Sequence, residues 1–283
     1  VKGVTSMTML SINTNVGAMN ASQSSYVANK SMEESMQRLS SGKRINSAAD
    51  DAAGLFITKR LDGEIQGLNQ AVRNAADAQA YLAVTEGALE EVHTILLRMR
   101  ELAVQASNGT YTAQDRAALA AEVTDLQTEI NRVASDTTFN NLVVLDGTAS
   151  TGITFQIGAD NSQNMAVTVA RTTISAQGIN ISTALQLTTQ AGATAYIATL
   201  DNAISTVSTR RGTYAAAMNR LDHAIANMQN VATNLSTAKG RVEDADFAAE
   251  TSNLSRVQVL QQASMAMLAQ ANASKQNILS LFQ

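Results

Sequence analysis

Apolar positions in this chain recur at intervals of three and four over most of its length. Val257, Leu260, Ser264, Met267, Ala271, Ser274, Ile278 and Leu281 form one such ladder, with Phe282 beside it. Residues three and four apart share one face of a helix, so the spacing predicts a helix carrying an apolar seam. Nothing within the segment covers that seam. Its cover must come from the distant N-terminal flank, from another subunit, or from both. On the N-terminal flank, Ile12, Val16, Met19 and Tyr26 make one stripe, and Met32, Met36 and Leu39 make a second, shifted one. Ser40-Ser41-Gly42-Lys43 and Asn46-Ser47-Ala48-Ala49-Asp50-Asp51 then read as a loop between helices.

A long helix is expected from about Asp62 to Ala106, with Leu82, Thr85, Leu89, Val92, Leu96, Met99, Ala103 and Ala106 on one face. At about 1.5 Å per residue it would reach roughly 65 Å. Ser107-Asn108-Gly109-Thr110 ends it, and Thr112-Ala113-Gln114-Asp115 starts the next, whose seam is Leu119, Val123, Leu126, Ile130 and Val133. The period changes at Phe139. Strand-forming residues in FNNLVVLDG are followed by alternation at Ile153, Phe155 and Ile157, and again at Met165, Val167 and Val169, across a turn-rich connector. This predicts a β-hairpin within about 139–170. Residues 170–195 are polar and weakly patterned, and read as loop and short elements. Heptad spacing then runs through Leu200, Ile204, Val207, Arg211, Tyr214, Met218, Leu221, Ile225, Met228, Ala232 and Leu235, with Arg211 its one non-apolar member. Residues 237–246, TAKGRVEDAD, read as a break before the terminal ladder.

The expected fold is therefore mainly α: an elongated antiparallel helical bundle or coiled coil built from both chain ends, with a small central β-hairpin region. Two domains are expected. Residues 1–50 and 240–283 would form a terminal coiled coil, and residues 51–239 a helical bundle with the hairpin.

Composition narrows the picture. Proline is absent, which permits long uninterrupted helices. Aromatics are 4%, so the core must come from Ala, Leu, Val, Ile and Met. Without cysteine there are no disulfides, thiol nucleophiles or thiolate-bound metals. A net charge of −4 does not resemble a nucleic-acid footprint. No segment approaches the ~20 consecutive apolar residues of a membrane span. The first residues, VKGVTSMTML, lack the pattern of a cleavable signal peptide.

Candidate chemistry is sparse. His93 and His223, the only histidines, each sit inside a helical pattern. No HExxH, phosphate loop or nucleophile elbow occurs. Gly54 and Gly63 do not make a phosphate cradle, and Asp160, Asn161 and Asn164 fall short of a calcium loop. Asp50-Asp51 fits capping or inter-subunit polar contact better than an acid–base pair. No enzyme, cofactor or metal is expected.

LSINTNVGAMNASQSSYVANKSMEESMQRLSSGKRINSAADDAAG, residues 10–54, resembles the N-terminal region of bacterial flagellins. LRMRELAVQASNGTY (97–111) and FNNLVVLDG (139–147) look like further flagellin signatures. RVEDADFAAETSNLSRVQVLQQASMAMLAQANASKQNILSLF, residues 241–282, resembles the flagellin C-terminus. Nine residues precede the usual start, the central region is short, and Asn272-Ala273-Ser274-Lys275 lacks a proline many members carry nearby.

The resemblance implies a subunit that polymerises into a helical filament for swimming, with the large outer domains of long flagellins missing. It implies a self-assembly seam at Ile12, Val16, Met19, Val257, Leu260, Met267, Ala271, Ile278, Leu281 and Phe282. An ordinary intramolecular bundle is the plainer reading of the same pattern. It further implies termini that are disordered before assembly, an export chaperone on the C-terminal helix, filament-cap and hook-junction partners, and an extracellular location reached without a cleavable signal. Arg98, Leu102 and Glu122 match the segment by which a vertebrate Toll-like receptor detects many flagellins. Otherwise Leu102 is packing, and Arg98 and Glu122 are surface charges. The alternative function is a flagellin-like cell-surface protein that binds a polysaccharide or host ligand. The hook–filament junction protein is a weaker third reading.

Overall fold

The computed structural model describes residues 14–147, 152–173, 178–181 and 187–280, with side chains to Ser274 in the last helix. The elements are α1 (Val16–Ser41), α2 (Ala52–Ala106), α3 (Ala113–Asp136), β1 (Thr138–Phe139), β2 (Leu142–Val143), β3 (Ile153–Gln156), β4 (Asn164–Val167), α4 (Gln190–Glu243) and α5 (Phe247–Ser280). The protein is mainly α with a small β region. It divides into two compact units. One takes in the chain up to Asp62 and from Leu235 onward; the other is Gly63–Asn234.

Side chains set the helix ends. Asn15 Oδ1 accepts the Ala18 N–H at 3.0 Å to start α1. Gly42 closes it in the left-handed region at φ 70°, donating its N–H to Arg38 O. Thr112 and Asp115 form a reciprocal capping box at the start of α3, where the sequence placed a helix start. Helix α2 begins ten residues before the expected Asp62. Asp51 Oδ1 accepts the Gly54 N–H at 2.9 Å and so supplies the cap there. Gly54 is required: a Cβ would lie 2.4 Å from Asp51 Oδ2 and 2.6 Å from Ile45 Cδ1.

The break expected over 237–246 is much shorter, because α4 runs on to Glu243. A glycine costs a helix only about 1 kcal/mol relative to alanine, so Gly240 does not end it. Lys239 Nζ also ties the segment to Asp62 Oδ1 at 2.6 Å. The corner that remains is matched to the α1–α2 loop by backbone bonds, Arg44 N–H to Glu243 O and Ala245 N–H to Gly42 O. Asp246 Oδ1 then caps α5 through the Ala248 and Ala249 N–H groups. At its other end α4 starts at Gln190, inside the stretch that reads as loop.

In the Gly63–Asn234 unit, α2 runs antiparallel to α3 and to α4. Arg98 meets Glu122, while Gln79, Glu86 and Arg100 meet Asp222, Arg211 and Asp201. The α4 heptad sorts cleanly by depth. Leu200, Val207, Tyr214, Leu221 and Met228 are buried. Ile204, Arg211, Met218, Ile225 and Ala232 are half-buried. Arg211 keeps its place by pairing with Glu86 at 2.7 Å and with Glu90. Against this row α2 sets Leu82, Leu89, Leu96 and Met99, all at 0% exposure, and α3 adds Val123 and Ile130. Gln127 Nε2 donates to the buried Tyr196 hydroxyl at 2.8 Å, and burial pushes that phenol up to about 12.

Among the described residues there are two hairpins where one was expected. Strands β1 and β2 pair Phe139 with Leu142. Asn140 and Asn141 both take positive φ, as a tight two-residue turn demands. Strands β3 and β4 pair Ile153 with Val167 and Gln156 with Asn164. Phe139 and Phe155, one from each hairpin, set their rings against Tyr81 of α2 at 5.7 and 6.0 Å.

Candidate assembly surface

Helices α1 and α5 pair antiparallel, and polar groups mark their register. Asn15 Nδ2 donates to Ala271 O at 3.1 Å, and Gln261 Nε2 to Asn29 Oδ1 at 2.6 Å. Arg38 meets Glu250 at 3.8 Å. The α1 face against α5 is built from small residues: Ala21, Ser25, Ala28 and Ser35 are all buried. Small side chains let two backbones approach closely, but they bury little apolar area. On α5 the facing strip is Glu250, Val257, Gln261, Ser264, Leu268 and Ala271, of which only Glu250 is fully buried.

Several of the largest apolar side chains of both helices lie beside this contact, not in it. Val16 is 61% exposed, Met19 62%, Leu260 52%, Met267 65% and Val259 64%. Tyr26, Val27, Met36 and Met265 are also exposed. Leu260, Met267, Ala263, Gly17, Asn20 and Ser24 help line an open groove of about 610 Å³. Of the covers the spacing left open, the N-terminal flank therefore does not bury these side chains. Val257, Ser264 and Ala271, seven residues apart, face α1. Leu260 and Met267, three residues further on, rotate to one side, and the strip is completed by Gln261 and Leu268. Of the expected seam, Val257 and Ala271 sit in the helix pair, while Val16, Met19, Leu260 and Met267 are open. Ile12, Leu281, Phe282 and the Ile278 side chain lie outside the described residues. Val259, Phe56 and Phe247, which the periodicity does not single out, are exposed too.

The second expected surface changes more. Arg98 forks onto Glu122 Oε1 through Nε at 3.1 Å and Nη2 at 2.9 Å, and reaches Glu101 through Nη1 at 2.6 Å. Its hydrogen bonds to Glu101 and then Glu122 hold the guanidinium protonated and raise its pKa. Leu102 is only 1% exposed. It packs into the helical core, as its place beside the Leu96–Met99–Ala103 seam requires, and is not a surface group.

Asp50 accepts the Asn46 and Ser47 N–H groups, and the Ser47 backbone contact leads in lowering its pKa. Asp50 and Asp51 therefore serve as caps for the turn and for α2. Among the described residues no group of three His, Asp or Glu could hold a metal ion. No helix of the described residues is long and apolar enough to cross a membrane.

Residues 12–150 match the bacterial flagellin N-terminal helical region, and residues 197–282 the bacterial flagellin C-terminal helical region. The chain is 42% identical to a flagellin of Halalkalibacterium halodurans, covering 96% of this chain and 99% of that one. It is 37% identical to a flagellin of Bacillus subtilis over similar shares of both chains, 96% and 99%. The fold is shared with a putative flagellar hook-associated protein from Vibrio parahaemolyticus, at TM-score 0.60 and 17% identity, covering 69% of this chain and 100% of that one. Two family matches on the two helical flanks, and relatives aligned nearly end to end, place this chain in the bacterial flagellin family.

Proposed function

We infer that this chain is a structural subunit of the bacterial flagellar filament, and that copies meet through the open faces of α1 and α5. The observation that carries the contact is the row of large apolar side chains beside the α1–α5 pair. Val16, Met19, Leu260 and Met267 are each more than half exposed. A monomer gains nothing by leaving such a patch in water, whereas a polymer buries it. In a helical array the contact is heterologous: one face of a subunit meets a different face of the next, and the series does not close. The apolar side of α5 would be hazardous before assembly, so an export chaperone covering it fits the same surface. Cap and hook-junction proteins would meet the same termini at the two ends of the filament. For a Toll-like receptor, the surface offered is the Arg98–Glu122 pair without Leu102, so Leu102→Ala would act there through packing alone.

Seeded growth followed by electron microscopy tests the reading. The full chain is expected to extend short filament seeds, and a chain lacking residues 254–283 is expected to leave them unextended. Growth by the truncated chain would overturn the assignment of the contact to α5.

A further inference from the structure

Among the described methionines, the exposed ones lie in one unit and the buried ones in the other, with Met32 and Met218 half-buried between these extremes. Met19, Met36, Met265 and Met267 are 62%, 54%, 55% and 65% exposed, and all four lie on α1 and α5. Met99, Met165 and Met228, in the Gly63–Asn234 unit, are 0%, 6% and 5% exposed. The chain has no cysteine, so thioether is its only sulfur. Met265 and Met267 flank the α5 strip that faces α1, and Met265 Sδ lies 3.6 Å from the Ser25 hydroxyl that donates to it.

We propose that Met19, Met36, Met265 and Met267 form an oxidation site whose conversion to sulfoxide blocks assembly of the free subunit. This rests on the reading of the α1 and α5 faces as the subunit contact. A hydroperoxide is the co-reactant. The methionine sulfur attacks one peroxide oxygen, the O–O bond breaks, and the sulfur takes that oxygen with loss of two electrons. The peroxide is reduced to water or an alcohol. Oxidation turns a flexible apolar side chain into a polar, chiral one. A sulfoxide oxygen pressed against an apolar neighbour loses its water without gaining a donor. The exposed four are open to peroxide in the free subunit, while the buried three are shielded by the helical core. Once subunits pack, the exposed four are shielded as well, so the filament resists the oxidant that stops its growth.

The test treats the free chain with hydrogen peroxide, maps sulfoxides by peptide mass spectrometry, and measures seeded filament growth. Sulfoxide is expected at the four exposed methionines before Met99, Met165 and Met228, with growth slowed at least roughly tenfold. A chain carrying Met19→Leu, Met36→Leu, Met265→Leu and Met267→Leu keeps the apolar surface, as well as Met7 and Met9. It is expected to grow at the same rate before and after peroxide. Untreated chain that fails to extend seeds would overturn the assembly reading, and this inference with it. Untreated chain that grows, with oxidised chain growing equally well, would overturn this inference alone. So would loss of growth in the peroxide-treated leucine variant.

Discussion

The two units bury their apolar residues by opposite means. In the Gly63–Asn234 unit, each seventh residue of α4 from Leu200 to Met228 disappears into a core shared with α2 and α3. Its leucines and Tyr196 are among the largest fully buried side chains in the protein. In the terminal unit, α1 meets α5 across alanines and serines, and Val16, Met19, Leu260 and Met267 are left in water. A fully buried leucine contributes roughly 1.5–3 kcal/mol, and an alanine much less. The first unit therefore holds itself together by its own core. The second makes a register-fixing contact through Asn15, Asn29, Gln261 and Arg38 and leaves open the apolar surface that we propose as the subunit contact.

Reversing one side of that contrast should have the largest effect on assembly. Leu260→Asp with Met267→Asp places two charges on the open face, where burial in a subunit contact would strand them. Seeded growth is expected to fall below detection, while thermal unfolding of the free chain shifts by no more than about 0.5 kcal/mol, as for most exposed sites. A large loss of monomer stability would mean that these side chains are already buried.

The converse change is Leu96→Ala in the core of the other unit. It should cost about 2–5 kcal/mol in chemical denaturation, through lost burial and the cavity left behind. A cost under about 1 kcal/mol would deny that this core carries the unit.

The smallest expected effect lies at the start of α3. Thr112→Ala removes half of the capping box and should cost about 1 kcal/mol. Asp115 sharpens the point through pH. Bonds from the Thr112 backbone N–H and then its hydroxyl lower the Asp115 pKa below the ordinary 3.8. A carboxyl depressed in the folded state stabilises fully above its unfolded value and loses that contribution as pH falls through the folded one. Asp62, lowered by its hydrogen bond to Lys239 and then by that charge, behaves the same way in the terminal unit. The denaturant midpoint of unfolding should therefore hold above about pH 4 and fall below it. A flat profile down to pH 2 would contradict both contacts.

Much of this was legible in the sequence, where a single physical signal decides the outcome. The α4 heptad, the Thr112–Asp115 cap and the β3–β4 alternation each read straight through to the structure. Element ends were harder to read. Asp51 starts α2 because its carboxylate reaches the Gly54 N–H, which a period analysis of apolar residues does not see. Gly240 resembled a breaker, but the Lys239–Asp62 bond holds the helix across it. The periodicity did not decide the α1–α5 contact: it left the cover of the apolar ladder to the N-terminal flank, another subunit or both. Hydrophobic periodicity assumes that the large apolar residues are the ones that pack within the chain. Here Ala21, Ser25 and Ala28 do so, and Leu260 and Met267 do not. The family resemblance offered Leu102 as a receptor contact and packing as the other reading; its neighbours Met99, Ala103 and Ala106 put it in the core.

On the proposed reading, α1 and α5 depend on neighbouring subunits in a way that the Gly63–Asn234 unit does not. Amide hydrogen exchange on the free chain and on the filament tests it most directly. In the free chain, amides of α1 and α5 are expected to exchange much faster than those of α2 around Leu82–Met99 and of α4 around Leu200–Leu221. In the filament they should slow to match, with the core amides nearly unchanged. Equal protection of α1 and α5 in both states would contradict the account.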